Sequence, residues 1–484
     1  MSQPSTQKKN PPEHVEVFFD LRDGSYWYRL NGRFVQLKRS DLQLHFRTMG
    51  LRDDNYFDGL REIDWPLWQA QIHRMIDYAG SLAGHRVSIF QDGSNRKFMV
   101  TDEPNGVWET IPRKTEQPEF FVEFVQELLP EDQWQHFCYW LAIALRSLRR
   151  GDFRPGQTVV FAGPAGCGKS LLQDCVTEVL GGRSANPFRY MMGLTQFNKD
   201  LVGAEHWKIE DPPTTTDIRT RRQFGAMLKD ATVNRDLSIH QKGKDALSLP
   251  IFRRVTISVN DEPENLAVVP PLDPSIQDKV FLFHCAVVRE AFQRFRLDDR
   301  TPALPGMGDS LQEGDLDRAK LWAHVKAEVP LVRAWLMKSF RKVPLDLRDD
   351  RFGIVAWHHP QLLSELTALA PETRLLQLVD EVCFEKAEPG VWTGKAIDLE
   401  KQLRGSNFAF ECEKVLRFFG ACGSYLGKLA RNQPDRVTRR VKDGYTSWMI
   451  TPPPSYTKYN HEQDDNDDPE QETSQDDPKR RGKR

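Results

Sequence analysis

The chain of 484 residues has enough material for several hydrophobic cores, roughly three domains by length alone. Charged residues make up 28% and the formal net charge is −2, so no overall basicity advertises nucleic acid, and any such contact must come from local patches. The seven cysteines (138, 167, 175, 285, 383, 412 and 422) include no C-x-x-C pair, which excludes a zinc ribbon and gives no support to a disulfide framework. No apolar run approaches the roughly 18 residues of a membrane span, so no membrane partner is expected.

Residues 1–12 are polar and proline-containing, which predicts disorder rather than a signal peptide. A meander follows: Val15–Phe19, Ser25–Leu30 and Arg33–Leu37, broken at Asp23-Gly24 and Asn31-Gly32. Ser40 opens a helix, and a second hairpin is expected across Arg86–Val100 around Asp92-Gly93. Helical periodicity returns from Glu119 to Leu148 with a break at Pro130. Its second half, Gln133–Leu145, is apolar on most faces and must be buried. These signals predict a small α+β module over 13–115 and a helical collar over 116–155.

Residues Gly163-Pro164-Ala165-Gly166-Cys167-Gly168-Lys169-Ser170 complete the pattern G-x-x-x-x-G-K-[ST]. The apolar run Thr158–Ala162 precedes them and the helix-like run Leu171–Leu180 follows, which is the strand–loop–helix setting the motif needs. The glycines let backbone N–H groups turn around phosphate oxygens, and the helix N-terminus adds partial positive charge. Lys169 is expected to reach the β- and γ-phosphates and the Ser170 hydroxyl to ligate Mg²⁺. The alternative is a glycine-rich turn without a ligand. The octapeptide therefore predicts a bound nucleoside triphosphate, and its Cys167 suits a reducing compartment.

From 156 to 300 strand and helix signals alternate, as in a mostly parallel sheet with helices on its faces. Ala204–Asp211 ends in two carboxylates, as a strand beside a phosphate loop would: Glu210 is assigned to the metal and Asp211 to the attacking water, with the order open. Taken alone, the pair also reads as an exposed acidic strand end. Arg254–Val259 is a strand that delivers Asn260, an amide of the right size to hold a water against the γ-phosphate. Between them Arg235–Lys244 reads as a hairpin with a basic tip, where Lys242 and Lys244 would neutralise phosphates and His240 would bond or stack on one. A solvated basic turn is the alternative.

A helical linker is expected over 301–350 and a winged helix-turn-helix domain over 351–452. Helices are read at Glu372–Cys383, Gly394–Leu403 and Gly423–Ala430, and strands at Arg436–Val441 and Tyr445–Ile450. The expected recognition helix carries Ser424, Tyr425, Lys428 and Arg431, and the wing Arg436, Arg439, Arg440 and Lys442. A protein-binding winged helix is the alternative. The stretch 453–484 is acidic, then basic, and expected to be disordered.

The order phosphate loop, acidic strand end, basic hairpin, strand ending in Asn resembles the superfamily 3 helicases, a branch of the AAA+ ATPases. From Ala162 to Phe283 the chain is similar to the helicase domain of phage, plasmid and virus-type primase–helicases. The points of likeness are Gly163–Ser170, Glu210-Asp211, Ile218–Gly225, Lys229, His240–Lys244 and Arg254–Pro263. The resemblance implies an α/β, AAA+-type P-loop NTPase core that hydrolyses ATP with Mg²⁺ held by Ser170 and Glu210. It further implies a ring, expected to be a hexamer, whose basic hairpins line a channel holding one DNA strand. A cation donated across the subunit boundary is needed, and Lys279 is the first candidate, with Arg221, Arg222, Arg253 and Arg254 as rivals. The function implied is a DNA helicase replicating a mobile genetic element. Its expected partners are single-stranded and forked DNA, its own copies and host replication proteins. It would act in the cytoplasm, or in the nucleus of a eukaryotic host. The second reading is an ATP-switched DNA-binding or origin-recognition scaffold without unwinding. Such proteins are often fused to a primase, but the scattered Asp20, Asp23, Asp41, Asp53 and Asp54 offer no convincing metal pair, so no primer synthesis is expected.

Overall fold

The computed structural model describes residues 15–112, 115–213, 218–239, 247–270, 272, 274–294, 313–384, 390–442 and 444–453. The chain divides into two compact units, Met1–Leu366 and Thr367–Arg484. The second begins at Thr367 rather than at 351 because Phe352 and Ile354 are buried and Ile354 joins the main apolar cluster of the first.

The first unit opens with the meander β1 (Val17–Asp20), β2 (Ser25–Leu30) and β3 (Arg33–Leu37). Leu30 pairs with Arg33, so the turn between them is Asn31-Gly32, with φ of 51° and 80°. Positive φ at both positions gives a turn whose twist matches the strands, and Asn-Gly adopts it with least strain. Helices α1 (Arg39–Thr48) and α2 (Trp65–His73) bury Leu42, Phe46, Leu67 and Ala70 against Val17 and Tyr26. Strand β4 (Met75–Ile76) joins β1 in parallel. A second small sheet comprises β5 (Tyr78–Gly80), β6 (Ser88–Gln91) and β7 (Lys97–Val100), with β7 in the middle.

Helices α3 (Glu119–Leu128) and α4 (Gln133–Arg150) supply the apolar face on which the central sheet rests. That sheet holds β8 (Thr158–Ala162), β9 (Ser184–Ala185), β10 (His206–Glu210), β13 (Arg254–Val259) and β14 (Val280–His284). Between β10 and β13 the chain forms α6 (Ile218–Val233) and the hairpin β11 (Asp236–Ile239) and β12 (Leu247–Pro250). The strand order is β9-β10-β13-β8-β14, and every pairing is parallel. Side chains such as Val159, Phe161, Phe281 and Phe283 are fully buried, as a sheet covered on both faces requires. Helix α5 (Lys169–Val179) follows β8 directly.

Within the expected helical linker lies α7 (Glu313–Ser339), whose Val325, Val332 and Leu336 enter the same apolar cluster as the sheet. Its Arg333 is buried and donates to the carbonyls of Glu178 at 2.6 Å and Val179 at 3.0 Å, and to Asn105 at 2.8 Å. The carbonyls of Glu178 and Val179 are the final ones of α5, which have no partners within the helix. Arg333 therefore caps the helix that starts at the phosphate loop.

In the second unit, α8 (Pro371–Phe384), α9 (Ala396–Arg404) and α11 (Ala421–Asn432) pack around Leu375, Val379, Leu399, Leu426 and Leu429. The hairpin β16 (Val437–Lys442) and β17 (Tyr445–Ile450) adds Val437, Trp448 and Ile450 to that cluster. Two elements go beyond the sequence reading. Strand β15 (Trp392–Gly394) pairs with β17, and the short helix α10 (Ala409–Val415) precedes α11.

Candidate nucleotide and nucleic-acid sites

Because all five central strands are parallel, their C-terminal ends share one edge of the sheet. The phosphate loop leaves β8 at that edge, Glu210 ends β10, Asn260 follows β13 and His284 ends β14. Strand β13 lies between the loop strand and the acidic strand. Two strand spacings, about 10 Å, therefore separate the phosphate loop from Glu210 and leave room for phosphates between them.

Within the loop, Gly166 (φ 75°) and Gly168 (φ 120°) adopt left-handed conformations that side chains disfavour. At Gly163 an added Cβ would lie 2.5 Å from the Cys285 carbonyl oxygen, so only glycine fits there. Gly168 forms the N-cap of α5 without a side-chain cap, leaving first-turn N–H groups for an anion. Lys169 is 6% exposed. Its Nζ donates to the carbonyls of Gly163 (2.6 Å) and Pro164 (2.8 Å) and to Asn260 Oδ1 (3.3 Å), and lies 3.8 Å from Cys167 Sγ. The uncapped helix end, the open glycines and a lysine folded across them fit a bound triphosphate.

The acidic strand end is more constrained than the sequence suggests. Glu210 Oε2 is 3.2 Å from Lys208 Nζ, which also contacts Asp174 Oδ1 on α5 at 2.7 Å. Asp211 leaves the sheet with φ 35°, rare for a residue with a side chain, and its N–H donates to the Ser258 carbonyl at 3.1 Å. Its side chain is exposed at the edge that carries the phosphate loop. Among the described residues no group of three His, Cys, Asp or Glu gathers. A Mg²⁺ that takes one hydroxyl, one carboxylate, phosphate oxygens and water needs no such group.

Beneath the edge lies a buried polar lattice that the sequence reading missed. Gln173 on α5 donates to the Ile209 carbonyl at 3.1 Å and to Thr256 Oγ1 at 2.8 Å. His206 is held between Thr177 and Thr256, each at 2.7 Å. Burial drives its pKa down to about 3, so it is neutral. This lattice locks α5 to the strands that carry Glu210 and Asn260. A second pair escaped notice: His284 Nε2 sits 3.3 Å from Asp261 Oδ2, beside Asn260. The His284 N–H donates to Gln133 Oε1 at 2.8 Å, and Gln133 Nε2 returns a bond to the His284 carbonyl at 3.2 Å. The available signal was Asp261, next to Asn260 in the chain.

The candidates for a donated cation are placed as follows. Lys279 directly precedes β14, whose first residue Val280 pairs with Thr158, so it stands at the sheet end opposite the phosphate loop. It is 6% exposed and paired with Asp278. Arg253 and Arg254 are buried structural residues. Arg253 bonds the carbonyls of Ala231 and Asn234 and lies over the Trp207 ring, while Arg254 bonds the Arg253 carbonyl over the Phe252 ring. Burial lowers their pKa to about 10 and about 9. The side chains of Arg221 and Arg222 lie outside the described residues, as do His240, Lys242 and Lys244 beyond the paired Ile239 and Leu247.

In the second unit the expected DNA-facing cations separate into two groups. Lys428 Nζ pairs with buried Glu372 at 3.2 Å, Arg436 binds Asp380 and donates to the Thr451 carbonyl at 2.9 Å, and Tyr425 is 1% exposed in the core. Tyr425 lies in the core, and the charges of Lys428 and Arg436 are met by carboxylates of the same unit. Arg431, Arg439, Arg440 and Lys442 are exposed. Arg431 and Arg439 border a groove of about 840 Å³, lined also by Gly423, Ser424, Gly427 and Trp448, between α11 and the hairpin.

No family model matches the chain, and no curated protein matches it. Among solved structures, the A form of the apo NrS-1 C-terminal region is similar over 91% of this chain and 97% of its own, with 14% identity and a TM-score of 0.49. Another apo structure of that region covers 90% and 95%, with 16% identity and a TM-score of 0.49. The JCV helicase covers 48% of this chain and 62% of its own, with 14% identity and a TM-score of 0.26. Likenesses of this strength carry no argument.

Proposed function

We propose that the chain is an ATP hydrolase that assembles into a ring of its own copies and translocates on single-stranded DNA as a helicase for a mobile genetic element. The observation that carries this reading is the convergence of Lys169, Asn260 and Asp211 at one sheet edge, around an uncapped helix N-terminus. Lys169 would exchange its loop carbonyls for β- and γ-phosphate oxygens, and the N–H groups of Gly166–Ser170 would cradle the rest. Mg²⁺, held by Ser170 and Glu210, would neutralise charge on the phosphates. Glu210 must first yield its contact with Lys208. Asp211 would take the proton of the attacking water. Once Lys169 turns to phosphate, Asn260 Oδ1 loses a donor and becomes available to hold that water.

Lys279 stands a sheet length from its own phosphate loop, so in a ring it would serve a neighbouring copy's nucleotide, after it leaves Asp278. Lysine would supply charge there without the two-pronged geometry of arginine. His240, Lys242 and Lys244 would track phosphates in the channel. In the second unit Arg431, Arg439 and Arg440 would contact duplex DNA, and Lys428 and Arg436 drop out of that surface.

ATP turnover should rise with single-stranded DNA and vanish in Lys169→Ala. An absence of both stimulation and fork unwinding would defeat the helicase reading. The double change Lys242→Ala and Lys244→Ala should stop unwinding while leaving duplex binding. A scaffold without unwinding activity would tolerate it.

A further inference from the structure

We propose that Lys208 is a built-in counter-ion for Glu210, holding that carboxylate until Mg²⁺ arrives together with a nucleotide. The inference rests on the reading of 163–170 as a nucleotide site and of Glu210 as its metal ligand, but not on the helicase reading. Lys208 and Glu210 stand two residues apart on β10, so their side chains leave the same face of the sheet. That face is the one α5 covers. Lys208 pairs in register with Thr256, whose hydroxyl accepts from Gln173 of α5 at 2.8 Å. The Lys208 ammonium reaches both elements: it lies 2.7 Å from Asp174 Oδ1 on α5 and 3.2 Å from Glu210 Oε2 at the strand end. The lysine side chain is 18% exposed, against 41% for Asp174 and 40% for Glu210, so the cation is enclosed between two more open carboxylates.

Asp174 is also one helical turn beyond Ser170, and residues four apart on a helix share a face at about 6 Å. The row Ser170 and Asp174 on α5 therefore runs beside the pair Lys208 and Glu210 on β10. The ammonium that bridges the two elements stands next to the hydroxyl and the carboxylate expected to hold the metal. One hydroxyl and one carboxylate suit Mg²⁺ only when phosphate oxygens and water complete its shell.

Without nucleotide, Glu210 would have to leave Lys208 for a cation that gains few other ligands from the protein, and the two cations repel. With a triphosphate in the loop, the phosphates supply the missing ligands and Lys208 withdraws to Asp174. Until then Lys208 offsets the Glu210 charge, which otherwise faces incoming phosphates across the sheet edge. Lys208 is thus a positioning residue with two effects of opposite sign. It favours nucleotide entry in the absence of metal, and it raises the Mg²⁺ concentration the site requires.

The test measures affinity of the full chain for a fluorescent, non-hydrolysable ATP analogue, in EDTA and across a series of free Mg²⁺ concentrations. Lys208→Met should lower the Mg²⁺ needed for half-maximal tightening by about fivefold, the weight of one partly buried ion pair, and weaken binding in EDTA by about threefold. Asp174→Asn leaves Lys208 to Glu210 alone and should raise the Mg²⁺ requirement; it decides by its direction if Lys208→Met does not fold. Glu210→Gln should also raise the requirement, and Lys208→Met added to it should shift it no further. A Mg²⁺ requirement unchanged or raised in Lys208→Met overturns the proposal, as does an equal loss of affinity in EDTA and in Mg²⁺, which would mark a merely structural role. If Glu210→Gln leaves the requirement where it was, the assignment of Glu210 to the metal fails first and this proposal falls with it.

Discussion

Lys169 Nζ stands 3.3 Å from Asn260 Oδ1, joining the phosphate loop to the end of a strand almost a hundred residues later in the chain. The contact exists because β8 and β13 are parallel neighbours in which Ala162 pairs with Val259. The next residue on each strand therefore emerges at the same edge.

If Asn260 serves the attacking water, its loss should slow chemistry more than binding. Asn260→Ala should lower kcat by about 10²-fold, the usual cost of removing one polar group aimed at the reacting atoms. Nucleotide affinity should stay within a few-fold. Steady-state turnover together with equilibrium binding checks the split. An equal fall in both would assign Asn260 to orienting Lys169 instead.

The buried His206 makes stability depend on pH. Its folded pKa is depressed to about 3 from 6.5, so its contribution is fully present above about 6.5 and is lost as pH falls. Between those values the unfolded chain takes up a proton that the folded chain refuses, and stability drops by up to about 1.4 kcal/mol per pH unit from this group. Urea midpoints at neutral and mildly acidic pH should show the fall. His206→Gln should lower the neutral midpoint and flatten the pH dependence.

Arg333 offers a test of the long helix. Arg333→Met leaves the carbonyls of Glu178, Val179 and Asn105 without this donor, which should cost about 1–3 kcal/mol. A urea denaturation curve reads this directly, and an unchanged midpoint would count against the cap.

The cations of the second unit should separate by experiment as they do by geometry. Arg439→Ala with Arg440→Ala should weaken duplex DNA binding and reduce the slope of log affinity against log salt by about two, one per phosphate contact. Arg436→Ala should instead lower the melting temperature, because Asp380 loses its partner. Filter binding across a salt series and thermal scans distinguish the two.

The strands were legible because their signals are local: Asn31-Gly32 at a turn, Thr158–Ala162 as an unbroken apolar run before the loop. The edge that gathers Ser170, Glu210, Asp211 and Asn260 follows from a parallel sheet once those motifs are found. Pairing was not legible. The density of cations around α11 and the hairpin is plain in the chain, but whether Lys428 meets Glu372 or solvent depends on tertiary packing. Arg253 and Arg254 stood as rivals for the donated cation, yet Arg254 begins a central strand, Arg253 directly precedes it, and both are buried. Helix α7 carried no clear apolar stripe, because it combines core residues such as Val332 and Leu336 with a buried Arg333 that caps another helix.

The central claim, that the edge holding Lys169, Asp211 and Asn260 drives movement on DNA, is tested most directly by ATP turnover and fork unwinding in one assay. The account predicts hydrolysis that rises with single-stranded DNA, unwinding that requires ATP and Mg²⁺, and loss of both in Lys169→Ala. Hydrolysis indifferent to DNA, with forks left intact by the wild-type protein, would contradict it.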